Sequence, residues 1–228
     1  MTTFDYVEPS SPTGTLKLGE ITRISDELRS GGLAILPTET GYMLAADATN
    51  DGAVRMAFRV KRRPLAATMH VACSSLEMIA KHAEINTPAR RILSGLTPGP
   101  ISVVVSVAEQ GTELSGRVLL DGTVGIRVPD HPATLQVIEA LGRPVTATSL
   151  NESSGSATAL DEPSLRTLDW PPLAVVHVVD AGQSIPYSMA STLVRVTGPE
   201  FEILRDGPIV SATIARTVRQ VGPLEPAE

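Results

Sequence analysis

The sequence predicts an α/β (α+β) protein in which helices pack on one mixed sheet. Three observations carry that prediction. Short aliphatic runs bounded by Gly and Pro recur along the chain and read as buried strands. Helical and strand-like segments alternate in the first half, whereas strands crowd together in the second, which argues against a simple doubly wound sheet. Aromatic residues make up only 3% of the 228, so the core must be built from Val, Leu, Ile, Ala and Met.

Taken in order, residues 1–15 read as a flexible N-terminal arm, 16–220 as a single domain and 221–228 as a tail. Ile21, Ile24 and Leu28 recur at helical spacing, and Gly31-Gly32 supplies a stop. "LAIL" (33–36) is a buried strand ended by Pro37, and "DGAVRMAFRV" (51–60) is a helix. "TMHVA" (68–72) is a strand, after which "SSLEMIAKH" opens with a capping box from Ser74 to Glu77. "NTPARRILSGL" starts a helix with Pro88 at the first helical position after Thr87. "ISVVVSV", "TVGIRV", "PVTATS", "LAVVHVVD", "STLVRV" and "FEILR" are strand-like, and "PATLQVIEALG" is a helix between two of them. Residues 151–164, "NESSGSATALDEPS", have the composition of a mobile loop.

Composition removes several classes of function. With 42% apolar and 19% charged residues the chain is ordinary for a soluble globular protein. No stretch approaches the roughly 18 apolar residues of a membrane helix, and the N-terminus has neither a basic start nor an apolar core, so it is not a secretory signal. One cysteine, Cys73, excludes an internal disulfide, and histidines 70, 82, 131 and 177 show no ligand spacing. A cytoplasmic protein with no metal site and no membrane partner is expected.

Against a net charge of −6, "RVKRRP" (59–64) concentrates Arg59, Lys61, Arg62 and Arg63. Such a run suits a solvated helix C-terminus, or a site where an anion takes up the field. The usual phosphate motifs, G-x-x-x-x-G-K-[ST] and G-x-G-x-x-G, are absent, as are H-E-x-x-H and G-x-S-x-G. Several strand ends carry polar groups instead: "LPTETGY" (36–42), "TPGP" (97–100), "GIRVPD" (125–130), "TSLN" (148–151), "MAST" (189–192) and "ILRDG" (203–207). Each alone fits a turn or a cap. Arg127, inside an apolar strand, needs an anionic partner.

Together these pieces resemble the YrdC/YciO family, in which the best-understood members are threonylcarbamoyl-AMP synthases. The resemblance runs from about Leu33 to Gly207, with the motifs in family order. They are P-T-E-T-x-Y (Pro37–Tyr42), K-x-R (Lys61, Arg63), P-G-P (Pro98–Pro100) and R-x-P (Arg127–Pro129). S-x-N (Ser149, Asn151), S-T (Ser191-Thr192) and R-x-G (Arg205–Gly207) follow. The resemblance implies a YrdC-like twisted sheet, mixed parallel and antiparallel, with flanking helices and a concave, positively charged face. That face would hold ATP, with Mg2+, and L-threonine. Threonine and bicarbonate would form a carbamate that attacks the α-phosphate, giving threonylcarbamoyl-AMP and pyrophosphate for tRNA modification by further proteins.

By the same resemblance Lys61 and Arg63 are catalytic, and both bind ATP with Ser149, Asn151 and Arg205. Thr38, Tyr42, His70, Arg127 and Ser191 form the threonine side. Arg59 and Arg62 have no counterpart and are left to solvent or to RNA, including tRNA. The match departs in two places. The loop after Arg63 is shorter than in synthases, and Met43 replaces a glycine, putting a bulky side chain near the threonine pocket. The alternative is therefore a YciO-like nucleotide- or RNA-binding paralogue with little or no synthase activity.

Overall fold

In the computed structural model, which describes residues 2–64, 67–150, 162–182 and 185–219, the aliphatic runs become strands and the periodic segments helices. In chain order these are β1 (Thr3–Val7), α1 (Leu18–Arg29), β2 (Ala34–Thr38), β3 (Gly41–Ala45), α2 (Asp51–Val60) and β4 (His70–Ala72). Next come α3 (Leu76–Ala80), α4 (Thr87–Leu96), β5 (Ile101–Ser106), β6 (Leu119–Leu120), β7 (Thr123–Arg127) and α5 (Pro132–Leu141). The chain continues through β8 (Val145–Ser149), α6 (Glu162–Arg166), β9 (Val175–Val179), β10 (Thr192–Arg195), β11 (Glu202–Arg205) and α7 (Ser211–Arg219).

Among the described residues the strands form one sheet, ordered β1-β9-β2-β3-β8-β4-β7-β5-β10-β11, with β6 beside β7. β1/β9, β2/β9, β4/β7 and β5/β10 are parallel pairs, and the others are antiparallel. The sheet is mixed, as the segment pattern predicts.

Alternation along each strand sorts the core into two layers. Ile35, Leu44, Val71, Ile126, Val103 and Val194 pack against α2, α3, α4 and α7 through Val54, Phe58, Ile79, Leu93 and Ile214. Their neighbours Ala34, Leu36, Met43, Ala45 and Val145 pack on the other face against Ile24 and Leu28 of α1 and Val137 and Ile138 of α5. That second layer covers the β9-β2-β3-β8 half, and Ala72 of β4 is its last strand contribution.

Four local expectations are corrected. The first fifteen residues are not all a loose arm: Thr3–Val7 pairs in register with Val175–Val179, so the sheet begins before residue 16. Asp5 is held there by Arg23 of α1 and by His177 Nδ1 at 2.8 Å. Pro37 does not end its strand. β9 reaches only Ala34 and Ile35 of β2, so no ladder on that side requires an N–H at Pro37. The cap of α3 is Ser75, whose hydroxyl accepts the Met78 N–H, one residue later than the sequence suggests. Glu162–Arg166 is helical, so residues 162–164 are not part of a loop as predicted; residues 151–161 and the tail from 220 lie outside the described residues.

Candidate active site

Among the described residues, the second face of the sheet beyond α5 carries polar side chains and no helical layer. His70 precedes Val71 of the core, so alternation turns its ring to this face, and Arg127 follows Ile126 in the same way. The His70 ring lies over the next strand, where a Cβ added at Gly125 would stand 2.4 Å from its Cδ2. A side chain at 125 would expel the ring, so the glycine here serves a close approach. Burial, then the charges of Arg205, Arg127 and Arg63, push the His70 pKa down to about 4. The ring is neutral at pH 7 within the field of three arginines, all named in advance by the sequence.

Arg127 finds its anionic partner within the chain. Its Nη2 pairs with Glu39 Oε1, and Nη1 and Nη2 both donate to Thr40 Oγ1 at 3.3 Å. The other Glu39 oxygen accepts the Asp130 N–H at 2.8 Å. Glu39 and Arg127 are 3% and 8% exposed, so each charge requires the other. Glu39 was not among the predicted site residues; its signal was a carboxylate inside the P-T-E-T motif, facing an arginine 88 positions away.

The motifs late in the chain are joined to one another. Arg205 donates through Nε and Nη2 to Ser191 O at 3.1 and 2.8 Å, and through Nη2 to Ser191 Oγ at 3.2 Å. Ser191 Oγ also lies 2.9 Å from Ser102 Oγ of β5. Gly207 fits tightly beneath them, since a Cβ there would stand 2.3 Å from the Thr192 nitrogen. The P-G-P turn completes the connection: Gly99 N–H donates to Val128 O and Pro100 O accepts the Thr192 N–H. R-x-P, P-G-P, S-T and R-x-G are thus one hydrogen-bonded corner. Burial and the Arg127 charge lower the Arg205 pKa.

The hairpin between β2 and β3 is occupied by its own bonds. Thr38 Oγ1 donates to Gly41 O at 2.7 Å and accepts the Thr40 N–H at 3.2 Å. The Tyr42 hydroxyl accepts the Ala181 N–H at 3.1 Å, and burial raises its pKa, which keeps it a neutral donor. Met43 lies beside Tyr42 in sequence but points the opposite way, into the α1/α5 layer, where it is 3% exposed. The sequence expectation sets it near the threonine pocket; in the fold it packs among aliphatic side chains on the sheet face that also carries His70 and Arg127. Ser149 is exposed at the end of β8, opposite Met43, and Asn151 lies outside the described residues.

The basic run divides in two. Lys61 caps α2, Arg62 takes a left-handed conformation (φ 48°), and Arg62 and Arg63 N–H groups donate to Arg59 O and Phe58 O. This bonding is a Schellman motif, with Pro64 just beyond it to prevent further helix. Arg59 pairs with Asp169 at 2.8 Å and Arg62 Nη2 donates to Thr167 O at 3.2 Å. These two cations remain exposed and have protein partners as well. Arg63 instead contributes to the field on His70.

The model of the Sua5/YciO/YrdC family, described as telomere recombination, matches residues 26–207. The chain belongs to this family. Among family relatives, the mouse threonylcarbamoyl-AMP synthase is 32% identical over 208 residues, 88% of this chain and 71% of the mouse protein. A structure of a P. abyssi Sua5 double variant overlays with a TM-score of 0.78 at 25% identity, covering 95% of this chain. This chain spans 63% of that Sua5 chain. E. coli YciO has the same fold, with a TM-score of 0.74 at 21% identity over 91% of this chain and 97% of YciO. Among the described residues, no helix is long and apolar enough to cross a membrane, and no group of three or more His, Cys, Asp or Glu could hold a metal ion.

Proposed function

We propose that the chain is a threonylcarbamoyl-AMP synthase acting in the cytoplasm. The observation that carries this reading is the grouping of Arg63, Arg127 and Arg205 around the neutral His70 on the open face of the sheet. Likeness to the mouse enzyme over 88% of the chain supports it.

ATP brings about four negative charges, and displacement at phosphorus is catalysed largely by positioning and charge stabilisation. Lys61 and Arg63 face the triphosphate and carry the chemistry, with Arg205 assisting and Ser149 and Asn151 holding the nucleotide. Arg127, its charge partly met by Glu39, orients the amino-acid carboxylate beside Ser191. Threonine's amine and bicarbonate give a carbamate with loss of water. A carbamate oxygen then attacks the α-phosphorus, the bond to the bridging oxygen breaks, and pyrophosphate leaves. His70 offers the amine a lone pair without adding a fourth positive charge. The groups named on this face are cations and hydroxyls, so Mg2+ arriving with ATP would draw its ligands from the nucleotide and water and not from these side chains. It would supply further charge neutralisation there. The product passes to tRNA through other modification proteins.

The test is pyrophosphate release from ATP by purified protein, with and without L-threonine and bicarbonate. Release that requires both co-substrates is the expected result. ATP binding without release under any combination would refute the synthase reading and favour a YciO-like binding protein.

A further inference from the structure

Away from the candidate active site, the arginines of the described residues are mostly matched by a carboxylate in an ion pair or close by. Arg90 and Arg91 of α4 and Arg216 and Arg219 of α7 are the exceptions, and none of them is in an ion pair among the described residues. Their own helices cannot supply a partner, since TPARRILSGL and SATIARTVR contain neither Asp nor Glu. In a chain of net charge −6, these two helices are purely cationic.

The fold sets these helices side by side. Leu93 of α4 and Ile214 of α7 enter the same core layer, on the face of the sheet opposite His70 and Arg127. A Cβ at Gly95 would stand 2.9 Å from Thr217 Cγ2, so the two helices approach closely there. Arg91 Nη1 donates to Val218 O at 2.6 Å, which sets the arginines of α4 against the last turn of α7. Arg216 and Arg219, three positions apart, share a face of that turn and are both exposed; Arg90 and Arg91 are half-buried. The negative pole at the end of α7 accounts for cations in its last turn. It does not account for Arg90 and Arg91, which stand near the start of α4, where the dipole has the opposite sign. Like charges gathered without a counter-ion repel one another, so the arrangement suits an anion from outside.

We propose that this α4/α7 surface docks the phosphate backbone of RNA, on the side of the sheet away from the candidate active site. Protein interfaces are centred on desolvated aromatic and apolar anchors. Neither helix has an aromatic residue, and the large exposed hydrophobic beside them in sequence, Val210, precedes the opposite end of α7. Guanidinium groups without such an anchor fit a ligand whose charge is outermost, as backbone phosphates are. The acidic remainder of the chain does not prevent this, because exposed charges more than about 10 Å apart are largely screened at 0.1 M ionic strength. The patch is independent of the synthase reading, since it lies on the other face of the sheet.

The experiment follows binding of a fluorescently labelled tRNA transcript by anisotropy, at salt from about 50 to 200 mM. Contacts from all four arginines predict a slope of about −3 in log affinity against log salt concentration. Arg216→Gln/Arg219→Gln is expected to weaken binding by about tenfold or more at the lower salt and to remove about half of that slope. Arg216→Lys/Arg219→Lys keeps both point charges and should bind within about threefold of the wild type. Arg59→Gln/Arg62→Gln, in the basic run, should bind as the wild type does. Circular dichroism checks folding, and Arg90→Gln, which leaves α7 intact, carries the test with a slope smaller by about 1 if the α7 pair does not fold. Pyrophosphate release should be the same in all of them, and its absence from the wild type would count against the synthase reading alone. No RNA binding by the wild type at the lower salt overturns the proposal and favours an acidic protein partner. Binding that ignores salt, or that is unchanged by Arg→Gln substitution in α4 and α7, overturns it as well.

Discussion

His70 of β4 lies across Gly125 of β7, so closely that a methyl group at 125 would stand 2.4 Å from the imidazole. The ring owes its place among the arginines to the absence of that one atom. Gly125→Ala is expected to displace it and lower threonine-dependent pyrophosphate release by about 10²-fold, the scale of a 1 Å misplacement. Circular dichroism should show the fold retained. Unchanged turnover would mean that His70 is not positioned for the reaction.

The Glu39–Arg127 pair is buried on both sides. Glu39→Ala strands the guanidinium and should cost about 3–5 kcal/mol in urea unfolding. Glu39→Gln keeps a hydrogen-bond acceptor for Arg127 and should cost less. A midpoint shift for Glu39→Ala no larger than that of a surface substitution would contradict the buried pairing.

The pH dependence of stability follows from His70, whose pKa falls from 6.5 to about 4 on folding. Above pH 6.5 both states are neutral and its contribution is full. As pH falls towards 4 the unfolded chain takes up the proton first, so stability declines; below 4 both states are protonated and the slope ends. His131 and His82 are also depressed by burial and add to the same limb. His70→Gln should make the decline between pH 6.5 and 4 shallower. An identical decline in the variant would show that the ring is not held neutral.

The basic run should separate under mutation. Lys61→Ala and Arg63→Ala are expected to reduce ATP turnover by 10²-fold or more without unfolding the protein, as loss of charge stabilisation does. Arg59→Ala removes an exposed pair with Asp169 and should change stability by under about 1 kcal/mol, with turnover near wild type. Equal losses at positions 59 and 61 would defeat the division.

Met43→Ala tests the strand's orientation. With Met43 in the α1/α5 layer, truncation should destabilise by about 2–5 kcal/mol and leave threonine affinity unchanged. Altered affinity without loss of stability would place Met43 at the pocket.

Much of this protein was legible from residue order. Aliphatic runs bounded by Gly and Pro, Pro88 near a helix start and the period of Ile21, Ile24 and Leu28 are local signals, because burial and capping act through near neighbours. The motifs named Arg63, Arg127, Ser191 and Arg205 in advance, the family resemblance added His70, and the fold draws those residues together. Thr3–Val7 was missed because five residues of mixed polarity become a strand only by pairing with β9, 172 positions further on.

Residue identity determined the core's aliphatic character, the mixed strand pattern and the cations and hydroxyls available for phosphate chemistry. Only the tertiary structure decided how they are used. It turned Met43 into one layer and Tyr42 into the other, gave Arg127 a partner 88 residues away, and divided the basic run between Asp169 and the open face. These outcomes depend on strand register and on which faces the helices cover, and both arise from contacts between distant parts of the chain.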